Sequence, residues 1–199
     1  MKSIVLALFV LLTSWLPFSE FGINESNPKL NKRITKKVTR IWPNRTILLD
    51  TCISEHDKNC LTNGLTLVIL AESGVKNHDY DTLGYIYQNR VYSCHQGGCS
   101  VTSNPGNSDK EYLSEFFDYF AVLDTDARVM KIDVYNYQAT HGQEICSNGW
   151  LKQFVGFSGS EQLIYGKNIQ AISGATISAN AITYDINYRV SCLRNSLKM

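Results

Sequence analysis

A short stretch of small and hydroxyl residues near the C-terminus has the composition of a phosphate-binding turn. Ser173-Gly174-Ala175-Thr176 follows apolar residues typical of a strand and precedes a predicted helix. Unpaired N–H groups at a helix start, together with the helix dipole, favour a phosphate, and small neighbours let a bulky ligand approach the backbone. The alternative is that Thr176 or Ser178 only caps the helix. Local chemistry leaves both interpretations open.

A second segment, His141-Gly142-Gln143-Glu144, brings an imidazole and a carboxylate into one short loop. Such a pair could act as general acid and base. Transfer of electrons alone would not need it, and the sequence predicts no catalytic residue.

The six Cys form a third group with candidate chemistry. Two clusters combine Cys with His: Cys52, His56 and Cys60, and Cys94, His95 and Cys99. They could bind zinc or iron, but the chain has no Cys-x-x-Cys motif, and we expect disulfides and no metal site. Six Cys allow 15 pairings. The interpretation that we favour pairs Cys52 with Cys60, Cys94 with Cys99 and Cys146 with Cys192.

The composition limits both the class of protein and its compartment. Apolar residues make up 44% and charged residues 19%, which is typical of a globular chain. The net charge of +1 argues against nucleic-acid binding. Lys2 and the apolar run 4–12 are typical of an export signal, and the even Cys count fits an oxidising compartment. A cleaved signal and a retained anchor both stay open.

The chain divides into four predicted segments. Residues 1–21 are a signal peptide or membrane anchor, and 22–45 are a polar and basic linker with a helix. Residues 46–110 form an N-terminal lobe that contains Cys, and 111–199 form the domain with the candidate site. The helix at 29–41 has apolar residues at helical spacing and six cations, so it either rests on anionic lipid or is a solvated linker.

The local patterns predict strands and helices of an α+β fold. Strands are expected at 66–71, at 83–93 with a turn at Asn89-Arg90, and at 120–123 and 128–137, joined by a turn at 124–126. Helices are expected after a capping box at Ser108, at 148–155 and at 178–193. Residues 163–172 should hold short extended pieces. We therefore expect a small antiparallel sheet with packed helices and an N-terminal extension.

The S-G-A-T stretch resembles the flavinylation motif of the FMN-binding domain family, which includes FMN-carrying subunits of the sodium-pumping NADH:quinone reductase and of the Rnf electron-transport complex. The similarity spans about residues 119–186. It includes the hairpin around 124–126, the loop Thr140-His141-Gly142, and residues 149–156, which resemble a W-x-x-Q-F-x-G stretch.

The resemblance implies FMN as the cofactor and a set of residues around it. Thr176 would be joined to the FMN phosphate by an FAD:protein FMN transferase, and Ser173, Gly174 and Ala175 would shape the phosphate turn. The other implied contacts come from Ser178, the loop residues His141, Gly142 and Gln143, and Trp150. Four aromatic residues could pack on the flavin ring or belong to the core: Tyr135, Tyr137, Trp150 and Phe154.

Two positions differ from the family pattern. Gln170 stands where the family usually has an Asp three residues before the motif Ser, and Ala139 stands where its loop has a Glu. That Asp is part of what the transferase recognises, so covalent and noncovalent FMN both stay open.

The sequence predicts an exported FMN-binding electron carrier at the periplasmic face of the membrane. Its expected partners are the transferase and redox proteins of the cell envelope, with membrane association an open alternative. Two other functions remain: a flavin-free, disulfide-stabilised interaction module, and a flavin reductase for small molecules. The chain has no G-x-G-x-x-G fingerprint for a nicotinamide cofactor, which disfavours the reductase.

Overall fold

The structure, a computed structural model, describes residues 27–51, 64–72, 80–93 and 115–197. Its elements are α1 (Pro28–Ile41), β1 (Ile47–Thr51), β2 (Gly64–Glu72), β3 (Tyr80–Ser93), β4 (Glu115–Asp124), β5 (Val129–Tyr137), α2 (Asn148–Leu151) and α3 (Thr176–Leu197). The strands form one antiparallel sheet in the order β1-β2-β3-β4-β5. The predicted α+β class is confirmed. Strands from both sides of residue 110 share this sheet, because β3 pairs with β4.

Strand β4 is buried along most of its length because helices cover both faces of the sheet. Phe117 and Tyr119 belong to the core that α3 closes, whereas Phe120 and Val122 belong to the core that α1 closes. The helix expected after Ser108 from the helical spacing of Phe116, Phe117 and Phe120 is therefore wrong over residues 115–120, where the structure has a strand. A continuous apolar run suits a strand buried on both faces as well as it suits a helix, and here the two cores decide. The capping box at Ser108 lies outside the described residues.

Strand β3 is continuous, so the expected turn at Asn89-Arg90 is wrong. The Arg90 guanidinium donates to both carboxylate oxygens of Asp118 on β4, at 2.7 and 3.0 Å. The Asn89 side-chain amide donates to Asp185 of α3 at 3.0 Å. These contacts to neighbouring elements override the local preference of Asn for turns.

Helix α1 packs on the sheet through its apolar stripe, so the helix is not a solvated linker and any contact with lipid would have to come from its charged side. The Asn27 side chain accepts from the Leu30 N–H at 3.1 Å and Pro28 occupies the first turn, so the helix begins where these residues favour a start. Leu30, Ile34 and Val38 are 6%, 1% and 0% exposed in the core with β1 to β4. The stripe therefore faces neither lipid nor solvent.

We expect Ile34→Ala to lower the free energy of unfolding by about 2–5 kcal/mol, the range for truncating a buried aliphatic side chain. Urea unfolding followed by circular dichroism would measure it. Thr35→Ala, at the exposed neighbouring position, is the control and should change stability by about 0.5 kcal/mol or less. Equal, small effects of both variants would contradict the packing of α1 on the sheet.

Most of the elements that local sequence patterns predict in the C-terminal half are present in the structure. The Asp124 to Asp126 turn joins β4 to β5, and a Lys152–Phe154 3₁₀ turn continues α2 as far as Phe154. Helix α3 is longer at both ends than the predicted 178–193. Among the described helices, none has the length and apolar character needed to span a membrane.

The predicted pairing of Cys146 with Cys192 is wrong. Cys146 is a free thiol, whereas Cys192 is disulfide-bonded. The other four Cys lie outside the described residues, together with His56, His95 and the apolar run 4–12.

Candidate functional site

The S-G-A-T stretch forms a tight turn directly before α3. The Ala175 N–H donates to the Ile172 carbonyl at 3.4 Å, which closes a four-residue turn with Ser173 and Gly174 at its centre. Gly174 has φ +79°, the left-handed value that the third position of a type II turn requires and that glycine adopts at low cost. The backbone geometry of the turn therefore favours a glycine at position 174.

Thr176 is the first residue of α3, and it is exposed. The residue before it, Ala175, has no side-chain acceptor and cannot cap the helix. The N–H groups of Thr176, Ile177 and Ser178 have no hydrogen-bond acceptor within the described part of the chain. The interpretation of Thr176 or Ser178 as a cap is wrong, because the two are the first and third residues of the helix and do not precede it. Ser178 is also buried, and its hydroxyl lies 2.9 Å from the Tyr137 hydroxyl.

The loop after β5 packs against this turn. At Gly142, which has φ +92°, an added Cβ would lie 2.7 Å from the Tyr137 hydroxyl oxygen, 2.9 Å from Ser178 Oγ and 3.4 Å from Ala175 Cα. Two residues later, the Glu144 carboxylate lies 3.7 Å from where a Cβ of Gly174 would be. The loop and the start of α3 therefore form one surface, with a single carboxylate beside the turn.

Two side chains of the W-x-x-Q stretch hold the backbone that leads into the turn. The indole Nε1 of Trp150 donates to the Gln170 carbonyl at 2.8 Å, and the Gln170 N–H donates to the Gln153 side-chain oxygen at 2.6 Å. Farther along, the Tyr165 hydroxyl oxygen accepts from the Ile172 N–H at 3.1 Å. These bonds position the residues directly before Ser173.

Burial raises the pKa of two partly buried groups that follow or lie on β5, the Tyr137 hydroxyl and the Cys146 thiol. It raises the pKa of the Tyr137 hydroxyl, although the bond to Ser178 opposes that shift, and the hydroxyl donates to the His141 carbonyl. Burial also raises the pKa of the half-buried Cys146 thiol. Because the thiolate is the reactive form, Cys146 is a poor nucleophile here.

The predicted site residues fall into two groups: those that lie in the turn or pack against it, and those that lie outside this cluster. Gly142, Ala175 and Ser178 are in contact with one another, and Ser173, Gly174 and Thr176 lie in or directly after the turn. Trp150 is 7% exposed and its ring packs edge-on against Phe154, so its visible role is to hold Gln170. Gln143 is exposed on the loop.

The structure bears on two alternatives that the sequence left open for side chains of this region. The imidazole of the exposed His141 lies 3.0 Å from the Thr140 hydroxyl, and no hydrogen bond joins it to Glu144, so the acid–base pair does not form. Tyr135 packs near Phe120 on the α1 side of the sheet, away from the start of α3. It belongs to the core between α1 and the sheet.

The sequence indicated Glu144 only as one half of an acid–base pair, and it did not indicate Gln153 or Tyr165 as parts of the site. Gln153 lies inside the stretch that carried the resemblance and could have been found there. The positions of Tyr165 and Glu144 beside the turn have no local signal. Tyr165 bonds to Ile172, seven residues away, and Glu144 lies beside Gly174, 30 residues away.

The turn fits a phosphate ester. It combines an exposed hydroxyl, a run of unpaired N–H groups at a 22-residue helix and a glycine without a Cβ. The Glu144 carboxylate is the opposing feature, because it would repel a free phosphate dianion.

The comparisons with known proteins agree with this geometry. No curated protein matches the chain. The family model of the FMN-binding domain matches residues 115–190, a segment that includes β4, β5, the loop, the turn and most of α3. This part of the chain is an FMN-binding domain, and the protein is a flavoprotein with FMN as its cofactor.

Proposed function

We propose that the protein is an exported electron carrier whose FMN is attached covalently through a phosphoester to the Thr176 hydroxyl. The observation that carries the proposal is the exposed Thr176 at the first residue of α3, inside the segment that matches the FMN-binding domain. Bound FMN supplies the redox chemistry, by accepting and releasing electrons. The protein supplies attachment and orientation.

In the attachment step the Thr176 hydroxyl oxygen bonds to the FMN phosphorus of FAD. The bond between the two phosphates of FAD breaks, AMP leaves and the hydroxyl proton is released, so the step needs no further oxidant or reductant. The partner that we propose for it is an FAD:protein FMN transferase. The unpaired N–H groups at the start of α3 would then bind the phosphate oxygens of the product.

Glu144 opposes noncovalent FMN more strongly than covalent FMN, because the phosphate of free FMN carries close to two negative charges and the phosphodiester carries one. Its carboxylate lies beside Gly174, where the phosphate of a freely bound FMN would meet a like charge. A covalent bond retains the cofactor without depending on the affinity of that phosphate. This argument is independent of residue 170, whose side chain is exposed.

Export is supported by the disulfide of Cys192 and by the apolar run 4–12. Redox proteins of the cell envelope are the partners that follow from this compartment. Transfer of electrons through FMN needs no acid–base pair from the protein, because the cofactor carries the redox chemistry.

The test is the intact mass of the protein made together with an FMN transferase. Covalent attachment predicts an increase equal to FMN less one water, on a peptide that contains Thr176. An unchanged mass with yellow protein after gentle purification would show noncovalent FMN. Steady oxidation of NADH or NADPH by the isolated protein would overturn the carrier role and favour a reductase.

We expect Glu144→Gln to bind free FMN about fivefold more tightly than the unmodified protein does, because one like charge about 4 Å away costs about 1 kcal/mol in water. Fluorescence quenching of FMN during titration of protein without covalent flavin would measure it. Glu161→Gln removes an exposed charge two residues from Gly159, which packs on Ser191 near the other end of α3, and should leave the affinity unchanged. Weaker or equal binding by Glu144→Gln would contradict the repulsion.

A further inference from the structure

The outward side of α1 concentrates positive charge. The helix contains six cations and no acidic residue: Lys29, Lys32, Arg33, Lys36, Lys37 and Arg40. Because Leu30, Ile34 and Val38 bind the helix to the sheet, the charged side is held in a constant orientation. We name Lys29, Lys32, Lys36 and Arg40, all of them exposed, the basic face.

The other two cations are used inside the fold. Arg33 and Lys37 pair with Asp133 of β5 at 2.7 and 3.2 Å. Burial alone would raise the pKa of Asp133, but these two cations outweigh it and hold the pKa below its usual value. The basic face has no ion pair with any described residue.

Helix stability does not explain this arrangement. Lys29 and Lys32 lie near the N-terminus, where the helix dipole disfavours cations. Lys32 and Lys36 are four residues apart, as are Lys36 and Arg40, and such like-charge pairs destabilise an isolated helix. Only Arg40 lies in the last turn, where the dipole favours a cation, so helix stability does not account for the charge of the basic face as a whole.

A further cation, Lys131 on β5, lies close enough to Lys37 of α1 for their charges to repel. The pKa of Lys131 on β5 is lowered, first by burial and then by the charges of Lys37 and Lys152. Because the chain as a whole carries a net charge of only +1, this concentration is local.

We propose that the basic face of α1 is a docking surface for a bilayer that contains anionic lipids. A diffuse layer of phosphate headgroups complements four exposed cations that are separated by Thr35 and Thr39 and not by apolar side chains. The apolar run 4–12 precedes the helix along the chain, and cations close to such a run are the pattern of anionic-lipid binding. Docking would set the orientation of the FMN-binding domain relative to the membrane.

The test compares binding of the full chain to vesicles of phosphatidylcholine alone and of phosphatidylcholine mixed with phosphatidylglycerol. We expect tighter binding to the mixed vesicles, weakened by added salt. The double variant Lys32→Gln, Lys36→Gln should lose about 30-fold in affinity for the mixed vesicles and keep its affinity for phosphatidylcholine. The control, Arg128→Gln with Lys167→Gln, removes two exposed cations from other parts of the surface and should have little effect.

Folding does not confound this test, because replacing like charges at exposed helix positions should preserve or raise stability, and circular dichroism would verify it. Equal binding of the unmodified protein to both vesicle types overturns the proposal. An acidic protein surface would then be the partner that the charge of the basic face favours. Equal losses in the two double variants also overturn it, because they would show an effect of net charge alone.

Discussion

Thr176→Ala should carry no covalent FMN when it is made together with an FMN transferase, whereas the unmodified protein should be loaded. The phosphoester needs a side-chain oxygen at this residue, and alanine has none. The fold should survive, because Thr176 is exposed and its side chain makes no hydrogen bond to the described residues, so the free energy of unfolding should change by about 0.5 kcal/mol or less. Intact mass and flavin fluorescence of the denatured protein would measure loading.

Three further variants sharpen this test. Thr176→Ser keeps the oxygen and should restore part of the loading. Ser173→Ala removes the other exposed hydroxyl of the turn and should leave loading intact. Ser178→Ala should also be loaded, because its hydroxyl contacts Tyr137 and faces away from solvent. Covalent FMN in Thr176→Ala would show that Thr176 is not the residue to which FMN is attached.

Gly142→Ala should lower the rate of FMN loading about tenfold or more. Its new Cβ would lie 2.7 Å from the Tyr137 hydroxyl oxygen and 2.9 Å from Ser178 Oγ, so the loop must move away from the start of α3. Overpacking of this kind costs about 1–3 kcal/mol, and the left-handed backbone adds strain for any residue with a Cβ. The loaded fraction as a function of time with the transferase would measure the effect.

Gly166→Ala is the matched control for this variant. Gly166 also has positive φ, +79°, but a Cβ there would have no atom within 4 Å. It should therefore show the backbone strain without the displacement of the loop, and it should load at nearly the normal rate. Equal loss of loading in both variants would mean that the contact between the loop and α3 does not position the acceptor.

Short-range sequence patterns were sufficient to predict several parts of the fold and the centre of the candidate site. The S-G-A-T turn, the hairpin around 124–126 and the helix after Thr176 depend on neighbouring residues, because a glycine with positive φ and a helix start are local properties. The same locality explains why the resemblance over 119–186 identified the FMN-binding domain, which the match to residues 115–190 supports independently.

Only the tertiary structure decided the features that depend on distant residues. Whether Phe116 to Phe120 form a helix or a strand depends on the cores on both faces of the sheet, and the bond of Arg90 to Asp118 keeps β3 unbroken. The burial of the apolar stripe of α1 requires a sheet that does not exist until β1 to β4 pair. Cys146 is a free thiol, which residue spacing could not reveal, since cysteines pair according to their proximity in space. Glu144 lies beside Gly174 for the same reason: 30 residues separate them along the chain, and the packing of Gly142 on Ala175 brings them together.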